Sequence, residues 1–433
     1  MRSISASSLS RRRLLGVGAA AAAGAALSAC GGPAPGAAGA KGDGTGSLRM
    51  LSPLFDDAKG QKLLESMVAE FTDKHPGIDV QIDHTLYDKL NEKLTTAFAG
   101  GQPYDVMLMG AGWIPPFAKR KVLAELGDTR AGLAKIYNPR VVDPGVYEGK
   151  VYARPIVLDT RIGIYRKDIF ADAGIDQPPK DLAEMREMGK ELTVREGGKL
   201  KRAGIDILSN DPRQTFLPIM WAYGADLFKN GKPVFDSPEA IDALQWMTDI
   251  IRTDKTEEIG FTQKGALVSP ITQDRAAMMI GHNDQWKMYK EKNPRLIKED
   301  LIGAFLLKQE RPAMFQGGTL ATMSSRSKSQ AAAKKLIDFL TGAEVCLKAA
   351  AARGNIPAAN SAKDSAYVTD NKLVSFAMDH LDAAFSEGGI PAWLEIRDEF
   401  KPAVESALLG KASPQKALQQ LADKAHTYIN RSW

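Results

Sequence analysis

Between Ser47 and Met109 the chain alternates two hydrophobic periods, and this limits the fold more than any other feature. Ser47–Leu51 reads as a short strand. Residues 58–74 then place Leu63, Leu64, Met67, Val68 and Phe71 on one helical face, and the pattern stops at "KHPG". Ile78, Val80 and Ile82 alternate as a strand. Tyr87, Leu90, Leu94 and Phe98 mark a second amphipathic helix closed by Gly100-Gly101, and Val106–Met109 is a continuous aliphatic run, read as a buried strand. Strand–helix–strand–helix–strand with short connections implies a mainly parallel sheet with helices packed on its faces, an α/β fold.

The alternation continues through the chain. Asp181 with Glu184 forms a capping pair for a helix over 182–192. Ser237-Pro238 is an N-cap followed by proline at the first helical position, ahead of Ile241, Leu244 and Ile251. "RAAMMIG" (275–281) and "IGAFLL" (302–307) read as strands, and "GGTLATM" (317–323) as a turn followed by a strand. A helix follows through Leu336, Phe339 and Leu340 to Gly342, and Ser413-Pro414 opens a last one carrying Leu418, Leu421, Ala425 and Tyr428. At 433 residues the chain has material for two or three domains.

The first 29 residues belong to targeting. "SRRRLLG" carries three consecutive arginines, an uncharged Ala- and Gly-rich run follows from Leu14 to Ala29, and the run ends in "LSAC". It is too short and too weakly apolar for a membrane span. The twin arginines resemble a Tat-type export signal, and "LSAC" resembles a lipobox in which Cys30 is lipidated and becomes the first residue. Residues 31–47 are nearly all small or turn-forming and read as a flexible tether, with a reach of roughly 20–25 Å by random-coil scaling. The expected body is thus exported and held beside the outer face of the cytoplasmic membrane. Removing the leader's four arginines takes the formal charge from +5 to +1, which leaves no electrostatic footprint for nucleic acid. Cys346 then has no partner cysteine and reads as a small buried hydrophobe.

The five histidines, at 75, 84, 282, 380 and 426, include no pair at metal-ligand spacing, and HExxH, paired CxxC, GxSxG, Walker A and strand-following GxGxxG motifs are missing. No metal, cofactor or catalytic residue is therefore expected. A pair of carboxylates across a sugar bond has no sequence signature, so a surface glycoside hydrolase stays open as a minor alternative.

What the chain has instead is a set of aromatic or polar residues beside turns, each after an apolar stretch: "MGAGWIPPF", "ARPIVLDTRIGIYRKDIF", "PIMWAYGADLF", "AAMMIGHNDQW", "MFQGGTLATM" and "IPAWLEIRDEF". Ligands of parallel sheets bind at the carboxyl ends of strands, where Trp113 stands on a proline-stiffened loop. In this order the segments resemble the family 1 extracellular solute-binding proteins, sugar receptors of bacterial ABC importers that include the maltose and maltodextrin receptors. The likeness runs from about residue 48 to 425 and is strongest in "YDVMLMGAGWIPPFAKRKVLAEL", "PIVLDTRIGIYRKDIFADAGI" and "MWAYGADLF".

The resemblance implies a two-lobed periplasmic-binding-protein fold of class II. Residues 48–157 plus 308–357 would form lobe one, 158–307 plus 358–433 lobe two, with hinge crossings near Val157–Leu158, Leu307 and Pro357. It implies a carbohydrate ligand, permease transmembrane subunits as partners, and a monomer. The C–H face of a pyranose packs on an aromatic ring, and its hydroxyl rim needs hydrogen bonds once out of water. Trp113 is the expected platform, with Trp221, Tyr223, Trp286 and Trp393 as further walls; core packing is the rival role for each. Asp159 matches the family's ligand carboxylate, with Arg161 as its salt-bridge partner or as a second ligand donor. Gly317 and Gly318 would let backbone N–H groups approach the ligand, and Asn283 is a further polar contact. Asp105 reads as structural, fixing the loop by backbone hydrogen bonds. A receptor for an anionic polyol, such as a glycerol phosphodiester, in the same fold is the alternative, with Arg154, Arg161 and Arg353 serving the anion.

Overall fold

The amphipathic segments fold where their caps direct. In the computed structural model, which describes residues 44–261 and 268–431, α1 (Ala58–Lys74) starts at Asp57, whose Oδ1 accepts from the Gly60 N–H at 2.7 Å. It buries Leu64, Met67, Val68 and Phe71. Then come α2 (Leu90–Ala99), α3 (Ile114–Lys119) and α4 (Leu182–Leu192). The capping pair before α4 is reciprocal: Asp181 Oδ1 accepts from the Glu184 N–H at 2.8 Å, and Glu184 Oε2 from the Lys180 N–H at 2.7 Å. α5 (Pro212–Ala222), α6 (Pro238–Arg252), α7 (Gln285–Lys292), α8 (Gln330–Leu340), α9 (Ala343–Arg353), α10 (Trp393–Leu408) and α11 (Pro414–Asn430) complete the long helices. The leader, Cys30 and the tether up to residue 43 lie outside the described residues.

The strands that matter for the site are β1 (Gly46–Ser52), β2 (Ile78–His84), β3 (Val106–Gly110), β4 (Ala153–Arg166), β5 (Val194–Glu196), β6 (Lys199–Asp206), β7 (Ala276–His282), β8 (Ile302–Phe305), β9 (Pro312–Met323), β10 (Ile356–Pro357) and β11 (Ala384–Ser386). They join one curled sheet in the order β2-β1-β3-β9-β4-β7-β6-β5, with β8 and β10 on β4 and β11 on β9. At one end β1 pairs parallel with β2 and β3; at the other β6 pairs parallel with β7. Between them run β4 and β9, 14 and 12 residues long, antiparallel to each other and to their outer neighbours.

The structure departs from the sequence reading in three places. The glycine pair expected in a turn lies inside β9, with Gly317 opposite Asp159 and Gly318 opposite Leu158. Gly318 has φ +141°, and a Cβ there would stand 2.3 Å from the Val157 carbonyl oxygen, so only glycine keeps the strand paired at this point. The strand expected over 302–307 ends at Phe305, and Leu307–Lys308 pair back on β9 as a separate hairpin arm. Trp113 is not on an open loop. It ends a 3-10 turn, Ala111–Trp113, that leads straight into α3, because Pro115 and Pro116 fit the first turn of a helix.

Apolar side chains gather in three clusters. One joins β1, α1, α8 and α9 through Leu48, Phe71, Leu336 and Cys346. A second joins α4, α5, α6, α10 and α11 through Met185, Phe216, Leu244, Phe400 and Leu418. The third surrounds Trp113 with Leu51, Leu94, Met107 and Phe117. Burial pushes the Cys346 thiol up to about 12, as suits an inert core residue. Asp105 fastens the entry of β3: its Oδ2 accepts from the Arg49 N–H at 2.9 Å and its Oδ1 from Ser327 Oγ at 2.5 Å.

Candidate functional site

A cavity of about 630 Å³ opens where β3, β4, β9 and β10 approach α5 and α10. Tyr87, Asp88, Asn91 and Trp113 line one side; Asp159 at the middle of β4, Gly317, Gly318 and Thr319 at the middle of β9, Arg353 at the end of α9 and Asn355 just before β10 line the centre; Gln214, Glu387, Leu394, Arg397 and Asp398 line the far side. Trp113 is 6% exposed and stacks on Phe117 at 6.1 Å between ring centroids. Gly110 lets the indole lie flat on the strand end, since a Cβ there would meet Trp113 Cδ1 at 2.9 Å.

Asp159 sits at the floor. Its Oδ1 accepts from Arg161 Nη1 at 3.0 Å; the other arm of that guanidinium donates to Gln214 Oε1. Arg161 is itself buried and does not line the cavity; it holds two side chains that do. Tyr87 Oη and Thr319 Oγ1 are 2.5 Å apart and hydrogen-bonded, and burial pushes the Tyr87 phenol up, keeping it neutral. Asn355 is fixed by donating to the Leu158 carbonyl at 3.0 Å. On the far side Arg213 pairs with Glu387, and Arg397 Nε lies 3.8 Å from the other oxygen of that carboxylate. Burial, reinforced by the neighbouring Arg397 charge, pushes the Arg213 guanidinium down to about 9.

The structure brings Trp113, Asp159, Gly317 and Gly318 together on this cavity and puts the other expected contacts elsewhere. Trp221, 2% exposed, is stacked between Phe385 at 5.5 Å and Phe315 at 6.2 Å. Tyr223 caps the end of α5 half-buried against the second cluster, where burial pushes its phenol up to about 12. Trp286 is 7% exposed within the first cluster. Trp393 is fully buried, edge-on to Phe228 at 6.0 Å and behind the Trp113 turn: a Cβ on Gly112 would meet its Nε1 at 2.6 Å. Asn283 is also fully buried, accepting from the Thr160 N–H at 2.9 Å and donating to the Gly354 carbonyl at 2.7 Å. None of these five is among the residues that line the cavity.

Sequence reasoning missed Tyr87, Gln214, Glu387, Leu394, Arg397 and Asp398. Three of them lie in the quoted segment "IPAWLEIRDEF": on α10, Trp393, Ile396 and Phe400 face the core, while Leu394, Arg397 and Asp398 face the cavity. The helical period was the available signal.

A second cavity, about 660 Å³, adjoins the first, with Arg353 and Asn355 lining both. Its other walls include Asp57 and Lys59 of the α1 start, His282, Asp284 and Lys287. Of the arginines assigned to an anion, Arg154 is committed to Asp128 at 2.8 Å and Asp338 at 2.6 Å, and only Arg353 lines a cavity. Among the described residues no group of three or more His, Cys, Asp or Glu is placed to hold a metal, and no helix is long and apolar enough to cross a membrane.

Known proteins agree with this layout. A putative binding protein of Brucella abortus (strain 2308) is 26% identical over 396 residues, covering 89% of this chain and 94% of its own. The diacetylchitobiose binding protein DasA of Streptomyces coelicolor is 23% identical over 79% of this chain and 81% of its own. Maltose-bound MalE3 of T. maritima superposes with a TM-score of 0.72 at 24% identity, covering 88% of this chain and 99% of that one, and so shares the two-lobed fold. The model of the bacterial extracellular solute-binding proteins matches residues 57–345. That match spans more than half of the chain, and this chain belongs to the bacterial extracellular solute-binding protein family.

Proposed function

We propose that the protein is the substrate-binding subunit of a carbohydrate ABC importer, which takes a di- or oligosaccharide into the first cavity and delivers it to the permease. One observation carries this reading: an indole face and a carboxylate, Trp113 and Asp159, line the same cavity of about 630 Å³. That volume lies within the range of about 300–1,000 Å³ usual for small-molecule sites. Trp113 takes the C–H face of a sugar ring. Asp159, held by Arg161, accepts from two hydroxyls, and such charge-assisted bonds are the strong ones. Gly317 and Gly318 bring the β9 backbone up to the ligand. The protein makes and breaks no covalent bond.

The sequence reading divides the lobes as 48–157 plus 308–357 and 158–307 plus 358–433. The pairing of Leu158 with both Gly318 and Ile356 supports moving the second crossing from Leu307 to Gly317–Gly318, so that three adjacent strands bend together. A sugar touching both lobes favours the closed state over the open one. Lipidation at Cys30 after a Tat-like leader would keep this monomeric body at the outer membrane face. The diacetylchitobiose and maltose named for its relatives support a carbohydrate ligand.

The test is titration of the purified body with mono- and oligosaccharides, following tryptophan fluorescence and heat. A saturable, stoichiometric response without turnover is expected, and silence toward every carbohydrate would overturn the reading. The anionic-polyol alternative rests on one observation, that Arg353 faces both cavities; it requires binding that weakens steeply with added salt.

A further inference from the structure

The cavity's carboxylate has a neighbour that the segment "AAMMIGHNDQW" contains but to which the sequence reading gave no role. His282, the last residue of β7, stands opposite Arg161 of β4. Its Nε2 lies 3.8 Å from Asp159 Oδ1, the same oxygen that Arg161 binds at 3.0 Å. His282 lines the second cavity while Asp159 lines the first, so the pair forms part of the partition between them. The ring is not loosely placed, because the next residue, Asn283, is locked to Thr160 and Gly354 on both its amide atoms.

The other ring nitrogen has a partner for either charge state. Nδ1 lies 3.0 Å from the Asp284 N–H, from which a neutral ring accepts. It also lies 2.9 Å from Asp284 Oδ1, to which a protonated ring donates. The cationic ring would set a positive charge between two carboxylates, whereas the neutral ring that accepts at Nδ1 keeps its proton on Nε2 and faces Asp159 without a charge, so that the Arg161 cation holds this carboxylate. Around the imidazole stand Asp159 and Arg161 from β4, Asp284 and Lys287 from the start of α7, and Arg353 from the end of α9. Asp57 and Lys59 face it across the second cavity. The His282 and Arg161 charges outweigh burial and hold the Asp284 carboxyl down at about 2, so it stays ionised throughout. Of these side-chain types only histidine ordinarily titrates between pH 5 and 8.

We propose that His282 is a positioning residue for ligand capture: its charge state sets how strongly Asp159 is engaged within the protein, so that affinity falls as the solution is acidified through the histidine range. This rests on the reading that Asp159 accepts the ligand's hydroxyls. An imidazolium competes with those hydroxyls for the carboxylate. By linkage the bound ligand disfavours the protonated ring, and binding releases a proton in acid. A ligand-induced fall of about one pKa unit on the ring corresponds to about a tenfold weaker Kd below its titration range.

The experiment measures Kd by calorimetry for maltose and N,N′-diacetylchitobiose between about pH 5 and pH 8, together with the titration of the protein's own imidazoles by NMR without sugar. The chain has five histidines, so His282 is assigned by the signal lost in His282→Gln. Wild-type Kd should rise up to about tenfold toward acid, while His282→Gln shows values within about twofold at the two ends. Asp284→Asn should move the acid limb to lower pH, because the cationic ring loses a carboxylate. In the sugar-free protein, Asp159→Asn should lower the His282 midpoint. A flat wild-type profile, an acid limb retained in His282→Gln, or an unmoved midpoint in Asp159→Asn each overturns the proposal. If neither sugar binds at any pH, the carbohydrate reading loses these two ligands, whereas the midpoint still decides whether His282 senses this carboxylate.

Discussion

The cavity has two kinds of wall. One is built on the sheet: Trp113 in the turn just past β3, Asp159 at the middle of β4 and Gly317–Gly318 at the middle of β9. The other is built on helices, where Trp221 ends α5 and Trp393 starts α10. Both walls carry tryptophan beside glycine and proline, in "GAGWIPP" and "GGIPAW", and in the sequence the two segments read alike. In the structure the strand-borne indole meets the cavity, whereas the helix-borne indoles are core. At a strand end the chain has finished pairing and its next residue projects past the sheet. At a helix start the first residue is committed to whichever face the period dictates, and for Trp393 that is the face shared with Ile396 and Phe400.

The largest effect that tests this contrast is on stability. Trp393→Ala should destabilise the protein by about 3–5 kcal/mol, the usual cost of emptying a buried aromatic site. Urea unfolding measures it. The same variant should change the Kd of a bound sugar less than Trp113→Ala does. A folded Trp393→Ala protein with normal stability and abolished binding would erase the distinction between the walls.

Next comes the backbone of the strand-borne wall. Gly318→Ala puts a methyl 2.3 Å from the Val157 oxygen at φ +141°, and should cost about 2–3 kcal/mol through strain and lost pairing. Gly101 provides the control. Its φ is +69° but nothing lies within 4 Å of its Cβ position, so Gly101→Ala should cost about 1 kcal/mol from conformation alone. Equal losses in thermal unfolding would mean that the close approach at β9 carries no energy of its own.

Smaller still is the effect on binding. Trp113→Ala removes the indole face and should weaken sugar binding by about 2 kcal/mol, or about 30-fold, as is usual for a buried aromatic anchor. Calorimetry on the folded variant reads it directly. Loss of stability without loss of affinity would move Trp113 to the same class as Trp393.

How far the sequence led follows from the same geometry. Element existence was legible because it depends on local period and caps: α1 and α4 occupy the residues read for them, Asp57, Asp181 and Ser413 cap as such residues do, and Asp105 holds the β3 entry. Trp113, Asp159 and the glycine pair, picked out by their motifs, all lie on the cavity lining. Three things were not legible. The period of α10 separates Trp393, Ile396 and Phe400 from Leu394, Arg397 and Asp398, but which of these faces, or which face of α5 at Trp221, meets a neighbour is a tertiary fact. The continuity of β9 through Gly317–Gly318 depends on β4 supplying pairing partners that override a local turn signal. Arg397 and Glu387 belong to the cavity because Arg213 is buried beside them, and nothing within 170 residues of Arg213 along the chain announces that meeting.

The smallest expected effect separates the pH behaviour of the buried interior from that of the site. Asp206, at the end of β6, and Glu257 are both fully buried carboxyls. Asp206 accepts from the Leu208 N–H at 3.1 Å, the Ser209 N–H at 3.0 Å and Ser209 Oγ at 2.5 Å; Glu257 accepts from the Ile207 N–H at 2.7 Å. Burial pushes the Asp206 carboxyl up from the ordinary aspartate value. A folded-state pKa above the unfolded one means that the native state binds more protons between the two. Its contribution is therefore fully present below the unfolded value and is lost as pH rises toward the folded one. Asp206→Asn keeps the shape and an acceptor oxygen but cannot ionise, so it should flatten this loss. The variant's melting temperature should fall less between acid and neutral pH than that of the wild type, by a few degrees at most if about 1 kcal/mol is involved. The direction is opposite to that set by His282 at the site: raising the pH should loosen the protein around Asp206 while strengthening capture at Asp159. If stability and affinity instead moved together with pH, and together lost their dependence in Asp206→Asn, the interior around Asp206 and the site at Asp159 would be one cooperative unit.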